Sequence, residues 1–135
     1  LKAVYLDTTP LYATVDKRDQ NHGRALALFE RLEREGVKAH CPLPTVLELH
    51  RLLIIRKPAD PGRAHAVAQW ALEVFTLVLP TEEHIKEARA TLRQFNDQRL
   101  TLTDATIAAM ASRDGAAVLT FDRHHFGWMG VPVYS

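Results

Sequence analysis

A chain of 135 residues with 47% hydrophobic side chains is the size of one ordinary domain and carries enough apolar residues to bury a core. Lys and Arg number 17 against 16 Asp and Glu, and a formal net charge of +1 excludes a global electrostatic case for binding nucleic acid or a membrane, so any basic surface is local. The single cysteine, Cys41, excludes an internal disulfide, and the few apolar residues before Asp7 are too short for a signal-peptide core. Glu73 breaks the longest later apolar stretch, so the expectation is one domain over residues 1–135 in the cytoplasm, with no membrane partner.

Taken in order, Ala3 to Leu6 predicts a strand, Thr8 to Val15 a short helix and Asp16 to Gln20 a charged turn. His22 to Glu35 carries Ala25, Leu28, Phe29 and Leu32 at helical spacing, and Gly36 sits where a left-handed helix end belongs. Val37 to Cys41 reads as the second strand, Thr45 to Ile55 as a strongly apolar helix, and Lys57 to Gly62, with Pro58 and Pro61, as a breaker. A helix is expected from Arg63 to Leu72 and a strand from Val74 to Leu79, ended by Pro80. Thr81, with Glu83 and His84, opens a helix to about Phe95, and Asn96 to Leu100 is loop. Thr103 to Arg113 predicts a helix that stops at Gly115; Val118 to Phe121 and Val131 to Tyr134 predict the last two strands. Strands separated by helices, not by two-residue hairpins, give an α/β class: a mostly parallel sheet of four to five strands with helices on both faces. Ligands of such sheets gather at the carboxyl edge of the strands.

Four acids fall at that edge or near it. Asp7 directly follows the first strand and Asp122 the fourth, so parallel strands deliver both carboxylates to one side. Asp104 opens the helix that leads back into the strand before Asp122, and Glu48 lies on a helix with little polar face to spare. Each also has a plain structural reading. Asp7 reads as a helix cap, Asp104 as a partner of the helix dipole, Asp122 as a turn residue, and Glu48 as a snorkelling chain or a partner of Arg51. Taken together the four point to one chemistry. Two carboxylates about 4 Å apart repel by roughly 4 kcal/mol at an effective dielectric of 20, so several in one cleft share protons or bind cations. Hard oxygen ligands select Mg²⁺ or Mn²⁺ over zinc, and the matching reaction is phosphodiester hydrolysis.

The stretches DTTPLYA, PTVLELHRLL, LTLTDATIAAMA and VLTFDRHHF, in that order, resemble the PIN-domain family, and within it the VapC-type toxins of toxin-antitoxin pairs, from Val4 to Pro132. The resemblance implies an Mg²⁺- or Mn²⁺-dependent endoribonuclease with Asp7, Glu48, Asp104 and Asp122 as its catalytic acids. Asp7, Asp104 and Asp122 would hold metal, and the hydroxyls of Thr9 and Thr120 would support them. It further implies an RNA substrate, a small antitoxin and a homodimer as partners. The chain departs from the family pattern at Thr9-Pro10 and at His124-His125, where some relatives have another acid.

By proximity to the acids, Arg51, Arg99 and Arg123 are expected RNA contacts, while Leu52, Leu53, Ile54 and Trp70 are expected in partner surfaces or in the core. His124 and His125 diverge as neighbours, His40 and Cys41 point to opposite faces of a strand, and His50 faces away from Glu48, so no zinc spacing is present. A haloacid-dehalogenase-like phosphatase needs a second Asp at the position of Thr9, and a receiver-like domain needs a lysine where Arg123 stands. The rival of a different class is a non-catalytic PIN-like module that binds RNA or protein.

Overall fold

The computed structural model describes residues 2–135; Leu1, which the single-domain reading includes, lies outside them. The elements alternate as β1 (Ala3–Leu6), α1 (Thr8–Val15), α2 (His22–Glu35), β2 (Lys38–Pro42), α3 (Leu43–Arg56) and α4 (Pro61–Val74), followed by β3 (Thr76–Val78), α5 (Glu82–Gln94), α6 (Leu102–Arg113), β4 (Ala117–Leu119), α7 (Arg123–Trp128) and β5 (Val133–Tyr134). The sheet has the order β3-β2-β1-β4-β5 and every pair is parallel. The chain thus begins at the centre, builds outward to β3, then crosses back past β1 to β4 and β5. The order reverses between β1 and β4, and in open α/β sheets that switch point is where a crevice forms.

The two faces of β1 explain the layering. Val4 and Leu6 point into one core with Leu11, Leu28, Leu49 and Leu53, under α1 to α4. Tyr5 points the other way, into a second core with Ile107, Met110, Val118 and Phe126, under α6 and α7. α5 packs outside against α6. Strand alternation with both faces apolar is what a fully covered parallel sheet requires.

Local chemistry sets the element ends. Gly36 has φ 66° and Val37 donates its amide to Leu32 O at 2.9 Å, the six-to-one bond of a Schellman turn that feeds α2 straight into β2. Gly115, at φ 63°, does the same between α6 and β4, with Ala116 bonded to Ala111 O at 2.9 Å.

Several boundaries differ from the sequence expectations. α3 starts at Leu43 because Pro44 is tolerated in a first turn, where its missing N–H has no intrahelical partner. The expected breaker also starts a helix: Asp60 accepts from the Arg63 amide at 3.1 Å and Pro61 is the first residue of α4. α4 then runs to Val74, anchored by the fully buried Ala71, and leaves only Thr76–Val78 of the expected strand from Val74. The cap of α6 is Thr101, two residues before the expected start, and β4 stops at Leu119 instead of Phe121. Helix α7 was not expected at all; Asp122 makes it by accepting from the His125 amide at 3.1 Å. β5 begins at Val133, two residues late.

Candidate metal-binding and active site

The site grows from the switch point. Asp7 ends β1, and its amide still donates to Leu119 O of β4 at 3.0 Å, which fixes the backbone just beyond the sheet. Asp7 stands at the N-cap position of α1 but makes no side-chain cap bond. The plain capping reading therefore fails. Its carboxylate turns across to β4, where the Thr120 hydroxyl donates to Oδ2 at 2.7 Å. The same Thr120 oxygen accepts the Asp122 amide at 2.9 Å, so one fully buried hydroxyl couples the ends of β1 and β4. Of the two hydroxyls named from the sequence, Thr120 is the one bonded to Asp7. Thr9 does not touch Asp7 in this way; it is exposed and lines the adjoining cleft.

The other acids come from helices tied to this edge. Thr45 donates to Leu6 O at 2.7 Å and is fully buried, pinning the first turn of α3 beside Asp7 and setting the depth of Glu48 one turn later. Asp104 occupies the first turn of α6, with its amide bonded to Thr101 Oγ1 at 3.0 Å. Asp122 caps α7, and its Oδ2 lies 2.6 Å from His125 Nδ1. His124 and His125 both tilt against Trp128.

Electrostatics ties the four together. Asp7 is 4% exposed. Its carboxyl is raised from 3.8 to about 7: burial pushes it up most, the Thr120 hydroxyl and the Thr8 amide pull it down, and Asp104 and Glu48 push it up further. Asp104 is likewise raised by burial, lowered by Thr101, and raised by Glu48 and Asp122. Among the ion pairs of the described residues none involves Asp7, Glu48 or Asp104. Three of the four acids thus have no ion-pair partner among the described residues, and Asp122 has only His125. By donor type and charge the set fits a hard divalent cation. No three His, Cys, Asp or Glu side chains among the described residues converge as a ready-made metal cage.

Two clefts open beside the acids. One, of about 380 Å³, is lined by Thr9, Tyr12, Asn21, Arg56, Phe121 and Asp122 among others. The other, of about 300 Å³, is lined by Pro44, Leu47, Glu48, Arg51 and Thr103. Of the cations singled out in the sequence, Arg51 reaches a cleft, Arg123 bonds to the Ser135 hydroxyl, and Arg99 lies exposed after α5. Sequence reasoning missed Arg56, although Glu48, Leu52 and Arg56 follow at four-residue spacing and so share a face of α3. Leu53 is fully buried, and Leu52, Ile54 and Trp70 pack on the same core. The exposed large apolar residues are instead Leu47, Ile55, Val74, Leu79 and a few others.

No helix among the described residues is long and apolar enough to cross a membrane. No curated protein sequence is similar enough to this chain to count as a match. Among solved structures, the fold is similar to VapC20 of Mycobacterium tuberculosis, described as a sarcin-ricin loop cleaving toxin, at TM-score 0.78 and 21% identity over 95% of each chain. It is similar to a chain of the DNA-bound VapBC complex of Salmonella typhimurium at TM-score 0.73 and 23% identity, over 98% of this chain and 96% of that one. FitAcB of Neisseria gonorrhoeae gives TM-score 0.72 and 18% identity over 98% and 96%. The PIN domain family model matches residues 4–127, nearly the whole length, and with the five-stranded parallel sheet and the acids at its switch point this chain belongs to the PIN-domain family.

Proposed function

We propose that this protein is an Mg²⁺- or Mn²⁺-dependent endoribonuclease and the toxin of a toxin-antitoxin pair. The observation that carries the reading is the set of acids at the carboxyl edge, where Asp7 is buried without an ion-pair partner and its carboxyl is raised to about 7, first by burial and further by Asp104 and Glu48. The likeness to a toxin described as cleaving the sarcin-ricin loop supports RNA as the substrate, and the likeness to VapBC and FitAcB supports a small antitoxin as a partner. A second copy of the chain is the other proposed partner.

Asp7, Asp104 and Asp122 would hold the ion or ions, with Glu48 completing the site or orienting the attacking water. When bound, a divalent ion supplies positive charge for a phosphate oxygen and lowers the pKa of a water. The rest falls to the chain. Thr120 holds Oδ2 of Asp7 and so fixes the direction of the carboxylate. The N-termini of α1 and α6, at which Asp7 and Asp104 stand, add partial positive charge that favours both carboxylate and phosphate. Attack with departure of the 3′ oxygen would leave a 5′ phosphate.

The test is cleavage of 5′-labelled total RNA in Mg²⁺, Mn²⁺ or EDTA, beside Asp104→Asn prepared identically and freed of partners. Discrete metal-dependent bands that vanish in the variant are expected. No cleavage in either metal, from protein that calorimetry shows to bind no divalent ion, overturns the reading.

A further inference from the structure

The cleft beside Asp122 has walls of a particular kind. Arg56 lies over the Tyr12 ring with its guanidinium carbon 4.6 Å from the centroid. Arg24 lies over Phe121, also at 4.6 Å. Tyr12, Arg56 and Phe121 all line the cleft that Asp122 closes. Tyr12 is itself fixed, since its hydroxyl donates to Asp16 Oδ2 at 2.8 Å and its ring is buried in the core under α1 to α4. A guanidinium held over a fixed ring has less freedom left to lose on meeting a ligand. Both arginines are exposed, so a ligand can reach them. Planar cations with an open face stack on nucleobases, and single-stranded RNA is read by such stacking on aromatic rings and guanidinium planes. The cleft volume of about 380 Å³ lies in the range of small-ligand sites, about 300–1,000 Å³, and Asn21 and Thr9 on its walls offer hydrogen bonds to a base edge.

We propose that this cleft is a nucleobase subsite, in which a base of single-stranded RNA next to the phosphate at the acids stacks on Arg56, and the Phe121 ring, which Arg24 positions, lines the same cleft. The subsite rests on the ribonuclease reading for its substrate class, yet it uses none of the four acids as a ligand for the base. It assigns base recognition to the end of α3 and to Phe121, two residues after β4, with Arg24 of α2 over that ring, and leaves phosphate chemistry to the switch point.

The probes are fluorescein-labelled eight-nucleotide oligouridylate, oligoadenylate and an abasic strand of the same length and charge, followed by anisotropy in EDTA, where metal-dependent cleavage does not proceed. The parent is expected to bind both base-bearing strands at least tenfold more tightly than the abasic strand. Arg24→Lys and Arg56→Lys, which keep the charge and lose the plane, and Phe121→Leu, which keeps the bulk and loses the ring, are each expected to lose roughly tenfold on the base-bearing strands and little on the abasic one. Thermal melts matching the parent's establish that the variants are folded. Equal binding of the abasic strand, lysine variants that bind like the parent, or no binding of any strand overturns the subsite. Metal-dependent cleavage together with any of those results leaves the nuclease standing without the subsite. Base-dependent binding without cleavage leaves the subsite standing without the nuclease.

Discussion

Asp7→Asn is expected to stabilise the protein at alkaline pH in EDTA. Burial, with Asp104 and Glu48 beside it, raises the Asp7 carboxyl from 3.8 to about 7, so the unfolded chain releases this proton more readily than the folded one. Stability from this group is therefore fully present below about 3.8 and is lost as pH rises through about 7. The whole gap corresponds to about 4 kcal/mol once the group is ionised, of which about 2–3 kcal/mol falls between pH 5 and pH 8. Asparagine removes the charge but keeps a carbonyl oxygen for the Thr120 hydroxyl, now 2.7 Å from Asp7 Oδ2. For a chain of this size the variant's lead in Tm is expected to grow by roughly 8 °C from pH 5 to pH 8. Circular dichroism melts of variant and parent at both pH values read this, because the difference between the two proteins cancels every titrating group that does not interact with Asp7. A lead that does not change with pH, or a variant less stable than the parent at pH 8, refutes the buried-charge reasoning.

Thr120→Val removes a fully buried hydroxyl that bonds both Asp7 and the Asp122 amide, and urea unfolding should show a loss of about 1–3 kcal/mol. The same variant is expected to cut RNA more slowly than the parent under matched metal, since Asp7 loses the bond that orients it. Gly36→Ala places a side chain at φ 66° and should cost about 1–2 kcal/mol in urea midpoint terms while leaving the rate of RNA cleavage per folded molecule unchanged. A stability equal to the parent's would show that the α2 to β2 turn tolerates another geometry.

The chain by itself determined the fold class and most of the element order, because those depend on local periodicity and on residues with restricted backbones. Alternating Val4, Tyr5 and Leu6 mark a two-sided strand, and Gly36 and Gly115 mark where helices turn into strands. Local signals failed where packing or a cap overrode propensity. The buried Ala71 carries α4 through Val74 into a run of strand formers, and the carboxylate of Asp122 starts α7 in a stretch that reads as a turn. The positions of the four acids were legible one by one, and the resemblance of their motifs to a family grouped them. Their mutual charge effects were not legible in spacing, because Asp7, Glu48, Asp104 and Asp122 come from separate segments that only the β1–β4 switch point brings to one edge. The same holds for Arg24 on Phe121, partners 97 positions apart by their numbers, 121 less 24, which no window along the chain connects. Periodicity carries a residue's face, whereas an electrostatic or stacking partner is a matter of distance through space, and that distance is set when the parallel sheet closes around Thr120.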